Sequence, residues 1–265
     1  MALLGSCSEA VAPTLRRIMW VDTHCHLQLT DDDPAALLER ASEVSWVVTP
    51  GVDLKSGQAA VALAKRFPEK VFPAVGLHPN DAALWPEERG PLRELMKDAV
   101  AVGETGLDFY RNLSPREDQI ESFTDQLAIA VEIDKPIIVH CRDAFADVHQ
   151  ILETSGEGER AVLHCWTGGR KWARRFLELG VTFSFAGPVA FKTGETIRLA
   201  AEIIPPDRAL VETDTPYLSP PPFRGEVNEP ARVSLVGEAL ARLWGMETAD
   251  VAALTTATAA RIFRA

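Results

Sequence analysis

The chain has 265 residues, 46% of them apolar and 25% charged, with a formal net charge of −11. A chain of this size can bury a substantial core without staples, and its acidic balance argues against a broad electrostatic grip on nucleic acid, which a basic face would supply. A local basic mouth, or metal ions that bring the positive charge, remain compatible with it.

Residues 1–18 read as a mobile extension or an over-long start ahead of the first strand. They do not read as a signal peptide, because the arginines follow the short apolar stretch. No apolar run reaches the roughly 18 residues that span a membrane. Short apolar runs then alternate with helical patterns. Strands are predicted at 19–24, 45–50, 71–77, 100–105, 136–141, 161–166, 181–186 and 209–214, rich in Val, Ile and Phe and bounded by Gly, Pro or Asp. Their lack of polar alternation suits a parallel sheet covered on both faces.

Helices are predicted near 34–43, 56–67, 86–97, 115–134, 143–154, 169–179, 193–203, 230–243 and 247–263. The one at 115–134 has the clearest start, with Ser114 as N-cap, Pro115 in the first turn and Glu117 closing a capping box. This alternation fits a single-domain α/β chain, a (β/α)8 TIM barrel. A doubly wound open sheet is the rival, but the first strand ends in Asp-Thr-His-Cys-His where that fold usually carries a Gly-rich loop.

Five of six histidines fall at or just beyond a strand C-terminus: His24, His26, His78, His140 and His164. One such histidine is more often a hydrogen-bonded core residue, but five at one end of a barrel call for another account. His24 and His26, two apart on a strand, share a face and can reach one metal. Imidazole suits Zn, Mn, Fe, Co or Ni. Glu104, between Gly103 and Gly106, can bridge two cations, and its alternative is an ion pair with a rim arginine. His140 and His164 offer a second metal position. Asp214 can bind the first metal and touch its water, and Glu212, deeper, suits either a hydrogen bond to a ligand imidazole or a structural ion pair. Two such ions lower the pKa of water and neutralise phosphoryl or carbonyl oxygens. Glu104 and Asp214 are therefore the candidate catalytic residues of a hydrolase.

Cys7, Cys25, Cys141 and Cys165 form no CxxC pair, and reduced thiols in a cytoplasmic protein are the simplest reading. Cys141 and Cys165 adjoin candidate ligands, but alternation points them toward the helices as packing residues. For substrate, His78 and Arg142 return to the mouth, Arg142 with the geometry to clamp a phosphate or else to pair with Asp143. Arg224 is a second phosphate candidate. Thr167-Gly168-Gly169 opens a helix with free amides that suit an anion. Arg170, Lys171, Arg174 and Arg175 read as a solvated face in preference to a DNA groove. Tyr110 suits base stacking or packing equally.

The motifs DTHCHL (22–27), VGLHP (75–79), VGETGLDFY (102–110), PIIVHCRDA (136–144), LHCWTGG (163–169), ETDTPYLSP (212–220) and RGEVNEP (224–230), with the stretch from Ser114 to Gln126, resemble the TatD family of metal-dependent deoxyribonucleases over about residues 19–262. The resemblance implies a (β/α)8 barrel and divalent-metal hydrolysis of DNA phosphodiesters. By motif, His24, His26, Glu104 and Asp214 would hold one metal, and Glu104, His140 and His164 the other. The cofactor would be one or two divalent ions, Mg, Zn or Mn. Asn80 stands where the family often has histidine, and Glu226 where a lysine is common. The lost positive charge and the acidic balance point to strand ends or short oligonucleotides as substrate.

The leading expectation is thus a phosphodiesterase, a DNase or 3'-5' exonuclease acting on DNA ends, cytoplasmic, with DNA or an oligonucleotide as partner, no membrane, and a monomer favoured. The alternative is an amidohydrolase-type C–N or ester hydrolase of a small substrate or aminoacyl ester. The lysine-bridged branch of that class is disfavoured, because Glu104 stands at the bridging position and no lysine sits at the mouth. A third reading is a metal-dependent binding protein without turnover.

Overall fold

The computed structural model describes residues 18–263. Eight parallel strands follow one another in chain order around a nearly closed barrel: β1 (Trp20–Asp22), β2 (Val44–Pro50), β3 (Val71–Val75), β4 (Ala101–Asp108), β5 (Ile137–Arg142), β6 (Ala161–Leu163), β7 (Thr182–Phe185) and β8 (Ala209–Val211). The helices are α1 (Pro34–Arg40), α2 (Leu54–Arg66), α3 (Trp85–Met96), α4 (Arg116–Glu132), α5 (Phe145–Ser155), α6 (Arg170–Glu178), α7 (Glu195–Ala201), α8 (Val233–Trp244) and α9 (Thr248–Phe263). The expected single-domain TIM barrel is the architecture found. The extension predicted at 1–18 lies outside the described residues apart from Ile18, which packs against the core.

Two apolar layers explain the continuous hydrophobic runs. The larger lies between strands and helices. The smaller fills the barrel with Val21, Val48, Ala74, Ala101, Ile138, Val162 and Leu210, and α9 adds Ala259 and Phe263 to it. Phe263 meets Trp46 edge-on at the β2 start, so α9 plugs the N-terminal end of the barrel. The packed interior leaves the C-terminal mouth as the place for polar chemistry.

The strand limits differ from those predicted at the mouth. β1, β6 and β8 stop at Asp22, Leu163 and Val211, and the left-handed backbone of Cys165 (φ 44°) and Asp214 (φ 58°) breaks the extended run. β4 instead runs on to Asp108, with a register shift against β5 between Val102 and Thr105. The seam between β1 and β8 is laced beyond the strand ends: Thr23 N donates to Val211 O (3.1 Å), Asp214 N to His24 O (2.8 Å) and His26 N to Thr215 O (2.8 Å).

The predicted cap of α4 is corrected. Pro115 occupies the N-cap and no side chain caps the helix. The Ser114 hydroxyl is committed elsewhere, donating to Asn80 O (2.8 Å) and accepting from Ala83 N (3.2 Å), so it ties the loop after β3 to the start of α4.

Candidate metal centre and active site

Glu104 is the hub of the barrel mouth. Its two carboxylate oxygens face different partners. Oε2 lies 3.2 Å from His24 Nε2 and 3.6 Å from His26 Nε2. Oε1 lies 2.9 Å from His164 Nε2, 3.0 Å from His140 Nδ1 and 3.4 Å from His78 Nε2. Asp214 Oδ1 completes the first group, 3.8 Å from His24 Nε2 and 3.5 Å from His26 Nε2. All six candidate ligands therefore converge.

The backbone that brings them there is specific. A Cβ at Gly106 would lie 2.1 Å from His140 O, and the residue has φ +129°; glycine lets β4 and β5 approach closely beside Glu104. His24 and His26 lie beyond β1, so their convergence is not simple strand alternation. Asp22 holds that loop: its carboxylate accepts from Thr213 Oγ1 (2.6 Å), Thr213 N (2.9 Å) and His24 N (3.3 Å).

Hydrogen bonds set the tautomers. His26 Nδ1 lies 3.0 Å from Pro50 O, which only accepts, so Nδ1 carries a proton and Nε2 faces the cluster. His140 Nε2 lies 3.1 Å from Asp108 Oδ2, leaving Nδ1 for the cluster. His78 is the reverse: Nδ1 accepts from Asn80 N (3.1 Å), so Nε2–H donates into the mouth. Glu212 accepts from Cys165 N at 2.7 Å. It sits 3.4 Å from His164 Nδ1, yet that nitrogen and Glu212 Oε2 are both buried without a hydrogen-bond partner. The contact is an ion-pair distance in poor hydrogen-bond geometry.

The donor set fits divalent cations. His24 Nε2 and His26 Nε2 are 3.2 Å apart, as are His140 Nδ1 and His164 Nε2. Imidazole nitrogens at about 2.0–2.1 Å from one ion stand roughly 3 Å from each other. Electrostatics agree. Burial opposes ionisation of Glu104, but His164 and His140 outweigh it and hold its carboxyl well below the usual range. Burial likewise opposes charge on His164, yet Glu104 and Glu212 raise it well above an ordinary imidazole. Burial pushes His78 down to about 3, so it is neutral.

The cluster floors a cleft of about 440 Å³ whose walls include Asn80, Arg111, Arg142, Tyr217 and Leu218. Arg142 lies over the Tyr110 ring, 4.2 Å from its centroid, on one lip. Arg224 is not in the cleft wall; it stacks over Phe191 at 3.7 Å. The 167–169 segment is also outside the wall. Arg170 is tied to Glu202 and Leu199 O, and Arg175 lies over Trp172. Glu226 pairs with Arg232 at 3.1 Å. Sequence reasoning passed over Asp22, Asp108 and Arg111. All three lie within or beside the motifs at 22–27 and 102–110, but the strand periodicity gives their side chains no distinct signal.

The TatD related DNase family model matches residues 21–264. The chain is a member of the TatD DNase family of metal-dependent hydrolases. The uncharacterized metal-dependent hydrolase YabD of Bacillus subtilis (strain 168) is 39% identical over 254 residues, covering 93% of this chain and 99% of its own. The 3'-5' ssDNA/RNA exonuclease TatD of Cronobacter sakazakii is 37% identical over 242 residues, covering 88% of this chain and 92% of its own. The crystal structure of YJJV, a TatD homologue from Escherichia coli K12, superposes with a TM-score of 0.86 at 24% identity, covering 94% of this chain and all of that one, and supports the fold. Among the described residues no helix is long and apolar enough to cross a membrane.

Proposed function

We propose that this TatD-family hydrolase is a two-metal phosphodiesterase that trims nucleic-acid strands from an end, as a DNase or 3'-5' exonuclease. The observation that carries this reading is the split carboxylate of Glu104, one oxygen toward His24 and His26, the other toward His140 and His164. His24, His26, Glu104 and Asp214 would hold one divalent ion, and Glu104, His140 and His164 the other. The nitrogen-rich donors favour zinc or manganese over magnesium. When bound, such ions supply Lewis acidity toward a phosphoryl oxygen and acidify water.

The protein's own groups do the rest. Asp214, on the open side of the cluster, accepts the proton of the attacking water. Neutral His78 donates its Nε2–H to a phosphoryl or leaving oxygen. Arg111 and Arg142 pair with the phosphate. Arg224 is a more remote phosphate contact, reached by a longer strand. Tyr110 and Tyr217, 64% and 54% exposed, offer stacking faces on the lips for terminal bases. A small mouth fits a strand end better than a continuous duplex, and the net charge of −11 weakens any grip on long DNA. The relative named as an exonuclease on single-stranded DNA and RNA supports the same substrate class. Free Cys25, Cys141 and Cys165 suit a reducing compartment, the cytoplasm.

Purified, metal-stripped protein reconstituted with Mg²⁺, Mn²⁺ or Zn²⁺ is expected to shorten single-stranded oligonucleotides stepwise. Intact DNA and RNA across that metal series, beside turnover of a lactone, amide or aminoacyl ester, would replace this reading with the amidohydrolase alternative.

A further inference from the structure

The last residue of β4, Asp108, is 1% exposed and works at both ends of its carboxylate. Oδ2 takes the Nε2–H of His140 at 3.1 Å. Oδ1 accepts from Tyr110 N at 3.0 Å and Arg111 N at 2.7 Å. The backbone behind it is fixed too, since Asp108 N donates to Gln119 Oε1 (2.9 Å) and Gln119 Nε2 to Ser114 O (2.9 Å). One buried side chain thus joins a candidate metal ligand to the lip that carries Tyr110 and Arg111.

We propose that Asp108 is a positioning residue that locks His140 with its Nδ1 lone pair toward Glu104 and couples that orientation to the substrate-facing lip at 109–112. The inference rests on the two-metal reading above. A carboxylate only accepts hydrogen bonds, so it places the His140 proton on Nε2 and leaves Nδ1 bare for coordination. An asparagine has one acceptor oxygen for the two tasks. With that oxygen on the Tyr110 and Arg111 amides, its NH2 faces His140 Nε2. The imidazole proton then belongs on Nδ1, pointing at Glu104 Oε1. With the amide flipped, the lip loses its acceptor.

The test is metal binding by Asp108→Asn, followed by calorimetry with Mn²⁺ and by the visible spectrum of the Co²⁺-loaded protein. The expected result is one of two sites weakened by about 10–100-fold, with the other little changed. Turnover of bis(p-nitrophenyl) phosphate should then recover with excess Mn²⁺; with the amide flipped, both sites stay near wild type and KM is raised through the loosened lip. Two sites of wild-type affinity together with a wild-type KM in the variant would overturn the inference and leave the two-metal reading intact. Wild-type protein that takes up no metal would overturn both. A second measurement needs no variant: long-range ¹H–¹⁵N spectra of the Zn²⁺-loaded wild-type protein should place the His140 proton on Nε2, and its appearance on Nδ1 would refute the assignment even if Asp108→Asn failed to fold.

Discussion

Asp22 reaches across the barrel seam to Thr213: Oδ2 accepts the hydroxyl at 2.6 Å and Oδ1 the amide at 2.9 Å. This clasp joins the loop bearing His24 to the loop bearing Asp214, two residues that would share a metal. Asp22→Ala leaves buried donors unpaired, at a cost of about 1–3 kcal/mol for each. Thr213→Val keeps the amide bond to Asp22 but takes the shared hydroxyl from Asp22 Oδ2, Thr215 Oγ1 (2.7 Å) and Thr215 N (3.2 Å), so it too should cost about 1–3 kcal/mol for each buried group left unpaired. Urea unfolding of the two variants checks this; wild-type stability in either would show that the clasp does not hold the seam.

Glu104→Gln keeps the shape of the hub and removes its charge. Both oxygens' partners are affected, so metal stoichiometry should fall and turnover should drop by more than the about 10–100-fold that loss of an outer partner brings. Metal analysis after gel filtration, read beside kcat, checks this. Retention of two ions per chain would refute the bridging role.

Metal affinity should rise with pH. In the metal-free protein burial opposes charge on His140 and His164, but Asp108 and Glu104 outweigh it for the first, and Glu104 and Glu212 for the second. Both imidazoles are therefore raised above their ordinary value of 6.5. Their ion pairing stabilises the metal-free fold fully below that value and fades as pH climbs through the raised ones. A cation must displace those protons, so its binding releases them and tightens as pH increases. The difference in Tm between Zn²⁺-loaded and EDTA-treated protein should be larger at pH 8 than at pH 6. A difference that shrinks with pH contradicts the protonation pattern.

Gly106→Ala tests the close approach of β4 and β5. The new Cβ would meet His140 O at 2.1 Å, on a backbone with φ +129°. Strain of about 1–3 kcal/mol is expected from the dihedral alone, with displacement of His140 added to it. Thermal unfolding should register the loss, and metal content should fall with it. A fully active variant with unchanged Tm would exclude this packing argument.

Arg142 and Arg224 should separate in kinetics. Arg142 lines the cleft over Tyr110, whereas Arg224 stacks on Phe191 outside the cleft wall. Loss of a charged hydrogen bond costs about 1.5–3 kcal/mol, so Arg142→Ala should raise KM roughly tenfold or more on a dinucleotide. Arg224→Ala should act only on longer oligonucleotides. Identical effects on the dinucleotide would mean that Arg224 reaches the reacting phosphate.

The sequence by itself determined the barrel and singled out the side chains that meet at its mouth. Apolar runs alternating with helical patterns admit few folds once strands must be covered on both faces. Five histidines at strand ends, with Glu104 and Asp214, then fall at one mouth by topology alone. What only the tertiary structure decided is how those side chains divide their atoms. Which Glu104 oxygen meets which imidazole depends on the register shift in β4 and the approach at Gly106, neither of which has a local periodic signal. The tautomers of His26, His78 and His140 follow from Pro50 O, Asn80 N and Asp108, partners 24, 2 and 32 residues away. Ser114 shows the same limit. Its local pattern favours a helix cap, but the folded chain offers it Asn80 O and Ala83 N across the loop after β3. Arg142 and Arg224 are alike as sequence signals; the fold sets one in the cleft wall and the other on Phe191, because position relative to the mouth is a property of the closed barrel.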